Sequence, residues 1–290
     1  MGRLILLFLF PVSLCSQEIL KAPFTLLGPI GSPVYYDMKS ALRDAKQCYK
    51  LDLSGVSIDT AKQFPRIGEL ANLQVLALDG NGLRTLPDRF SELSALLFFS
   101  SKNNALKKWP KDFGNLHSLM YLDLHHTAFD SLSAELPYLN KLKVLHLQNN
   151  QADTLHFPSS FGHMRSLQDL LIYNCRIDTL PDSFRDLQSL KKLTLVKCGM
   201  TFLPSSIGKL KELQALILEY NAIDTFPKEL CYLGKLEFLS LRNNALNKLP
   251  DEICFLSNLG VLDLRGNNFT DHQIDVLRVL LPKGCQIITK

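Results

Sequence analysis

A repetitive α/β solenoid, in which each short repeat adds one strand to a parallel sheet, is the fold class this sequence predicts. Three observations predict it. The spacing leucine, two residues, leucine, one residue, leucine, two residues, asparagine, one residue, leucine is seen at Leu73, Leu76, Leu78, Asn81 and Leu83. The same frame starts again at Leu96, Leu119, Leu142, Leu167, Leu190, Leu213, Leu236 and Leu259. Most units then place a leucine or an aromatic before a proline, as in Leu86-Pro87, Trp109-Pro110, Phe157-Pro158, Leu203-Pro204 and Phe226-Pro227. On both sides of the repeated region the apolar spacing changes to that of a helix.

The frame advances in steps of 23 residues, with one step of 25 between Leu142 and Leu167. A degenerate rung on Cys48, Leu51, Leu53 and Ile58 precedes the nine regular units and makes ten rungs in residues 48–269. Counting each unit from its first leucine, side chains alternate along the strand, so positions 4 and 6 point inward and positions 3, 5 and 7 outward. A single unit cannot bury its apolar side, and stacking supplies the missing neighbour. Position 9 is asparagine in six units, Asn81, Asn104, Asn150, Asn221, Asn244 and Asn267. A primary amide both donates and accepts, which suits backbone groups where the chain bends inward. Thr127, Cys175 and Cys198 replace it as small residues of the same inner corner. The proline fixes one backbone angle and lacks a donor, so short turns or one-turn helices are expected on the return path.

With these units, and with Ile207-Gly208-Lys209-Leu210 after the proline, the chain resembles the leucine-rich-repeat family, in its 23-residue class with leucine-proline turns. The resemblance implies a right-handed curved solenoid with a parallel sheet on the concave face and short turns or helices on the convex face. Asp37 before Met38, Ala41, Leu42 and Ala45 predicts a helical N-terminal cap. After Asn267, the segment Thr270 to Leu281 places Ile274, Leu277, Val279 and Leu280 in a helical pattern ended by Pro282, and Ile287 and Ile288 form a last strand. These flanks resemble those of secreted bacterial leucine-rich-repeat proteins.

Arg3, the apolar run from Leu4 to Val12, and Ser13, Cys15 and Ser16 are laid out as a secretory signal peptide. A run of about ten residues is well short of the roughly 20 that span a bilayer, so no stable membrane insertion is expected. The expected organisation is a signal peptide at 1–16, a lead-in and N-terminal cap helix at 17–47, repeats at 48–269 and a C-terminal cap at 270–290. Lipidation of Cys15 is the alternative, disfavoured by Leu14 before it. The expected location is secreted, periplasmic or cell-surface. Among the remaining six cysteines, Cys175 and Cys198 share one column and Cys231 and Cys254 another. A rung spacing of about 4.8 Å permits bridges, but parallel inward-pointing side chains favour free thiols.

The 32 basic and 28 acidic residues are interspersed, with a net charge of +4, so the basic arm or stripe of a nucleic-acid binder is missing. No phosphate loop, nucleophile elbow or paired zinc motif occurs, and neither catalysis nor a cofactor nor a metal is expected. Asp123 and His146 at position 5 of neighbouring rungs, with His125 beside them, are the one hint of a chemical constellation. They are read as surface contacts, because a metal needs three or four ligands in tight geometry. Function is therefore assigned to the outward columns, where Phe98, Tyr121 and Phe238 occupy position 3, Ile217 position 5, Tyr173 position 7 and Tyr220 position 8. Phe98 beside Tyr121 is the strongest expected cluster of exposed anchors; Leu171, Tyr173, Ile217 and Tyr220, with Lys192 and Lys197 between them, form a second. The expected activity is that of a monomeric, non-catalytic scaffold for a protein or peptide, with an exported glycan or cell-wall binder as the alternative.

Overall fold

The computed structural model describes residues 22–58, 61–148 and 154–289. The export signal, Cys15 and Asn150 lie outside the described residues. The chain divides into two compact units, Met1–Ala128 with Tyr138–His146, and Phe129–Pro137 with Leu147–Lys290. The first contains helix α1 (Pro23–Leu26), strand β1 (Val34–Tyr35), helix α2 (Met38–Arg43), and strands β2 (Lys50–Asp52), β3 (Val75–Ala77), β4 (Phe98–Ser100) and β5 (Tyr121–His125). Strand β6 (Val144–Gln148) gives its first three residues to this unit. The second contains β7 (Asp169–Tyr173), β8 (Lys192–Val196), β9 (Ala215–Ile217), β10 (Phe238–Ser240), β11 (Val261–Asp263), helix α3 (Asp271–Leu280) and β12 (Gln286–Ile288).

Within each unit the strands are parallel, follow chain order, and pair position for position. Leu76 faces Phe99 and Phe99 faces Leu122 in the first unit. Leu193, Leu216, Leu239 and Leu262 face one another in the second. Each residue type therefore stacks on its counterpart one repeat away. The return paths are 3-10 turns of three to six residues, such as Asp88–Glu92 and Ser205–Lys209. Each follows a proline in extended conformation, Pro87 and Pro204, whose carbonyl accepts from the amide three residues on, Phe90 and Ile207. Proline suits this place because φ near −65° is already fixed and no donor is left over.

The inner corner is held by position 9. Asn221 Nδ2 donates to the carbonyls of Leu195, Leu218 and Glu219, while Oδ1 accepts from the amides of Cys198 and Met200. Asn104 does the same between its own rung and the one before, bonding Leu78 O and the amides of Asn81 and Leu83. Where cysteine replaces asparagine the donor half survives: Cys198 Sγ reaches the carbonyls of Ile172 and Val196 at 3.5 Å, the counterparts of the Leu195 and Glu219 oxygens used by Asn221. The six cysteines of the described residues are thiols and not disulfides, and burial pushes the Cys198 thiol up to about 12.

Between sheet and turns the core is filled by the inward leucines and by a column at position 18, joined by Phe161 two places later in the 25-residue unit, where Phe90 stacks on Phe113 at 6.3 Å and Phe161 on Phe184 at 5.2 Å between ring centroids. The third rung departs from the leucine frame, with Phe99 at position 4 and Ser101 at position 6, both buried. A larger and a smaller side chain share the space of two leucines: the Phe99 ring lies 4.8 Å from Phe90, and Ser101 Oγ accepts from Asn104 Nδ2. Gly208 at position 19, and Gly162 at the equivalent place of the 25-residue unit, are required by close approach. A Cβ would stand 1.7 Å from Ser183 O at Gly162 and 2.4 Å from Glu229 O at Gly208.

The flanking helices form where the sequence places them. Asp37 caps α2 by accepting from the Ser40 amide at 2.8 Å, and Thr270 and Gln273 form a reciprocal capping box on α3. Ile274, Leu277 and Leu281 are buried, but Val279 is 84% exposed. The expected stripe through Val279 is corrected: the apolar face returns three and seven residues after Ile274, and Val279 falls off it.

Replacing Asn221 by alanine is expected to lower the unfolding free energy by about 2–3 kcal/mol, because several backbone groups lose their partner at once. Cys198→Ala, which loses two long thiol contacts, is expected to cost less. Urea denaturation of the two variants measures the difference, and equal costs would count against the amide as the tie between rungs.

Candidate functional site

The outward columns of the first unit do not stand open. Val75, Phe98, Tyr121 and Val144, in register at position 3, form one buried cluster, and Tyr121 retains only 6% exposure. Two causes act together. Neighbouring strands hold the side chains of one column about 4.8 Å apart, so each covers the next. In addition Phe24 of α1 and Leu27 after it pack against the cluster. Within the lead-in, Pro23 starts α1 with its fixed φ, and Gly28, at φ +79°, carries the chain so close to Lys50 that a Cβ would meet its Cε at 2.9 Å. The expectation of Phe98 and Tyr121 as exposed anchors is corrected accordingly.

Asp123 and His146 are buried as well, and His125 is half-buried. The Asp123 side chain is 3% exposed, with Lys102 Nζ 3.0 Å from Oδ2 and His125 Nε2 2.9 Å from Oδ1. Burial alone raises the pKa of such a carboxyl, but contact with His125 and the charges of Lys102 and His146 outweigh it and hold the group below the usual carboxylate range. Among the described residues no three of His, Cys, Asp and Glu are grouped to hold a metal ion. These residues act as a charge cluster that ties adjacent strands.

In the second unit the columns differ. Phe238 is buried between Ala215 and Val261 of the neighbouring strands, which corrects its reading as an exposed anchor. Leu171, Tyr173 and Ile217 are half-buried, and Tyr220 is 41% exposed. Lys197 Nζ lies over two rings, 5.7 Å from the centre of Tyr173 and 5.4 Å from that of Tyr220. Arg242 Cζ lies 5.5 Å from the centre of the Tyr220 ring. Ring, cation, ring and cation therefore alternate across β7 to β10, with the apolar Leu171 and Ile217 at the outward position 5 of the same strands.

The backbone at this strip is unusual in what it carries. Position 8 is left-handed in rung after rung, at Gly55, Gly80, Asn103, His126, Asn174, Asn243 and Gly266. These are the residue types that accept positive φ. Lys197 and Tyr220 hold the same conformation, each at φ 56°. For a bulky residue this costs roughly 1–2 kcal/mol. Sequence reasoning named Tyr173, Ile217 and Tyr220 and noted Lys197, but missed Arg242 and the cost of the column. The signal was present: a position filled elsewhere by glycine, asparagine or a single histidine admits a tyrosine and a lysine here.

The depressed pKa of Asp123 sets a pH dependence. A carboxyl whose folded pKa lies below its unfolded value, near 3.9, stabilises the fold above that value, and the contribution is lost as the pH falls through the folded pKa. Asp123→Asn is therefore expected to be less stable than wild type at pH 7, with the gap narrowing under acid. Thermal unfolding across pH 7 to 3 tests this; a gap independent of pH would remove the ion pair as its cause.

The sequence matches the family model of a leucine-rich repeat region over residues 50–153 and 103–202 and that of the leucine rich repeat over 211–269. A search of curated proteins finds no match. Similar solved structures include a chain of PEPR1-AtPEP1, at 27% identity and TM-score 0.60, covering 76% of this chain and 31% of that one. The plant peptide hormone receptor RGFR1 in complex with RGF2 is similar at 24% identity and TM-score 0.56, with 77% and 45% covered. A chain of the octameric complex of Latrophilin 3, Unc5D and the LRR of FLRT2 is similar at 20% identity and TM-score 0.61, with 82% of each covered. This chain thus spans less than half of the PEPR1-AtPEP1 and RGFR1 chains it matches. With repeats of one frame, asparagine ties between rungs and family models matching more than half its length, the protein belongs to the leucine-rich-repeat family.

Proposed function

We propose that this protein is an exported, non-catalytic scaffold that holds a protein or peptide on the outward strand face of its second unit. The observation that carries the reading is the strip of Tyr173, Lys197, Tyr220 and Arg242. Tyrosine and arginine are the residues that anchor interfaces most often, since a ring brings large contact area with little rotamer freedom to lose. Leu171 and Ile217 add apolar surface that a partner covers. The corresponding face of the first unit already has an occupant in Phe24 and Leu27, which directs the reading to the second. Among the similar folds, RGFR1 is a peptide hormone receptor in complex with RGF2, and FLRT2 takes part through its LRR in a complex with two other proteins. Export rests on the Arg3 to Ser16 layout. No helix among the described residues is long and apolar enough to cross a membrane.

Panning a random peptide library on the protein, followed by hydrogen exchange of the complexes, is expected to show protection on β7 to β10. Protection confined to the 3-10 turns, for example around the exposed Tyr232 and Phe255 pair, would place the site elsewhere. Truncating Phe24 and Leu27 to alanine is expected to raise binding of a hydrophobic dye by uncovering the Phe98 and Tyr121 cluster. Unchanged dye binding would mean that the columns bury one another without α1.

A further inference from the structure

We infer that the partner of this face presents acidic side chains, in an extended peptide segment whose carboxylates meet Lys197 and Arg242 on either side of Tyr220; this rests on the reading of the second unit's strand face as the binding surface. The first support is charge accounting along the outward columns. At position 7 of other rungs the cations are neutralised by carboxylates of their own face: Lys102 lies 3.0 Å from Asp123, and Arg265 makes a two-pronged contact with Asp263. Lys197 and Arg242 have no carboxylate partner among the described residues and rest only on tyrosine rings. The carboxylates nearest in the frame are already engaged, Glu219 by the Ser240 hydroxyl at 2.8 Å and Asp263 by Arg265. The guanidinium of Arg242 keeps its forked donors available, and carboxylate is the group that fork fits best.

The second support is conformational and independent of charge. In this left-handed column the other described rungs carry glycine, asparagine or, at one place in the first unit, His126, and within the second unit only Lys197 and Tyr220 are neither glycine nor asparagine. Nothing in the repeat calls for bulky side chains there, since Asn174 and Asn243 on the flanking rungs hold the same conformation. Strain of this kind persists where the side chain serves something other than the fold.

Spacing defines the segment. Lys197 and Arg242 stand two rungs apart, about 10 Å at a strand spacing of about 4.8 Å. An extended chain laid along the stack covers that in about three residues, so acidic side chains two to four residues apart reach both cations. Ile217, on the rung between the two cations, suits an apolar residue between the acids, and Leu171 suits one beyond Lys197. Glu219, on the rung between Lys197 and Arg242, repels a continuous phosphate backbone more than separated carboxylates.

Fluorescence anisotropy with the full chain and labelled ten-residue peptides tests the inference. A peptide alternating glutamate with leucine is expected to bind, its glutamine counterpart at least tenfold more weakly, and binding is expected to weaken between 50 and 300 mM salt. Arg242→Gln and Lys197→Asn are each expected to lose about tenfold, while Tyr232→Ala on the turn side changes nothing. Tyr220→Asn is the diagnostic variant, expected to raise the melting temperature by a few degrees as strain is relieved while binding falls. Equal binding of the glutamate and glutamine peptides, no binding of either, or binding of a single-stranded oligonucleotide as tight as the acidic peptide would overturn the inference. So would a Tyr220→Asn variant that is less stable and binds unchanged. Library peptides that protect β7 to β10 without acidic bias would leave the scaffold reading standing and remove only this one.

Discussion

The fold depends on satisfying the backbone where each rung turns inward after its strand. That corner has left the strand register yet lies in the interior, where an unpaired amide or carbonyl costs about as much as a lost hydrogen bond. One primary amide solves it by reaching in two directions, as Asn221 does with three carbonyls and two amides drawn from its own rung and the one before. Because the bonds run between rungs, they also fix the distance at which rungs stack. The thiol of Cys198 serves the same corner with longer contacts, reaching the same carbonyl positions at 3.5 Å and facing the Cys175 amide.

Fixed stacking has a consequence on the opposite face of the strands. Side chains at one position of successive rungs stand a strand spacing apart, close enough for a phenylalanine, a tyrosine and two valines to bury one another. Position in the repeat therefore does not translate into exposure. Phe98, Tyr121 and Phe238 are outward by alternation and buried by neighbours, whereas Tyr220 is exposed because position 8 lies beyond the strand, at the bend. Charged residues in these columns obey the same rule, and Asp123 survives burial because Lys102 and His125 come with it.

This is also why the fold was legible in the sequence and the site only partly so. Inward leucines, corner asparagines and turn prolines each report a local requirement that one unit states and the next repeats. The Asp37 and Thr270 caps report theirs within four residues. Exposure on a stack reports on neighbours in space. Phe24 and Leu27 lie some fifty or more residues before the strands they cover, in a segment that carries no repeat signal of its own. Arg242 was passed over because it looks like any solvated arginine until Tyr220 is found beneath it.

Position 8 joins the two kinds of information. The repeat imposes a left-handed bend there, and the residues that meet the demand at least cost are glycine and asparagine, found on the flanking rungs. A residue that departs from the demand of its column without a gain in packing marks a place where another constraint acts on the chain. Tyr220 gains little burial at 41% exposure, and Lys197 is exposed as well. What the two share is a position from which a ring and a cation face outward beside Arg242, one rung from Tyr220. The column that makes the fold regular thus makes the exception visible, and the exception falls on the one stretch of described strand face where cations lack carboxylates and rings stay partly open.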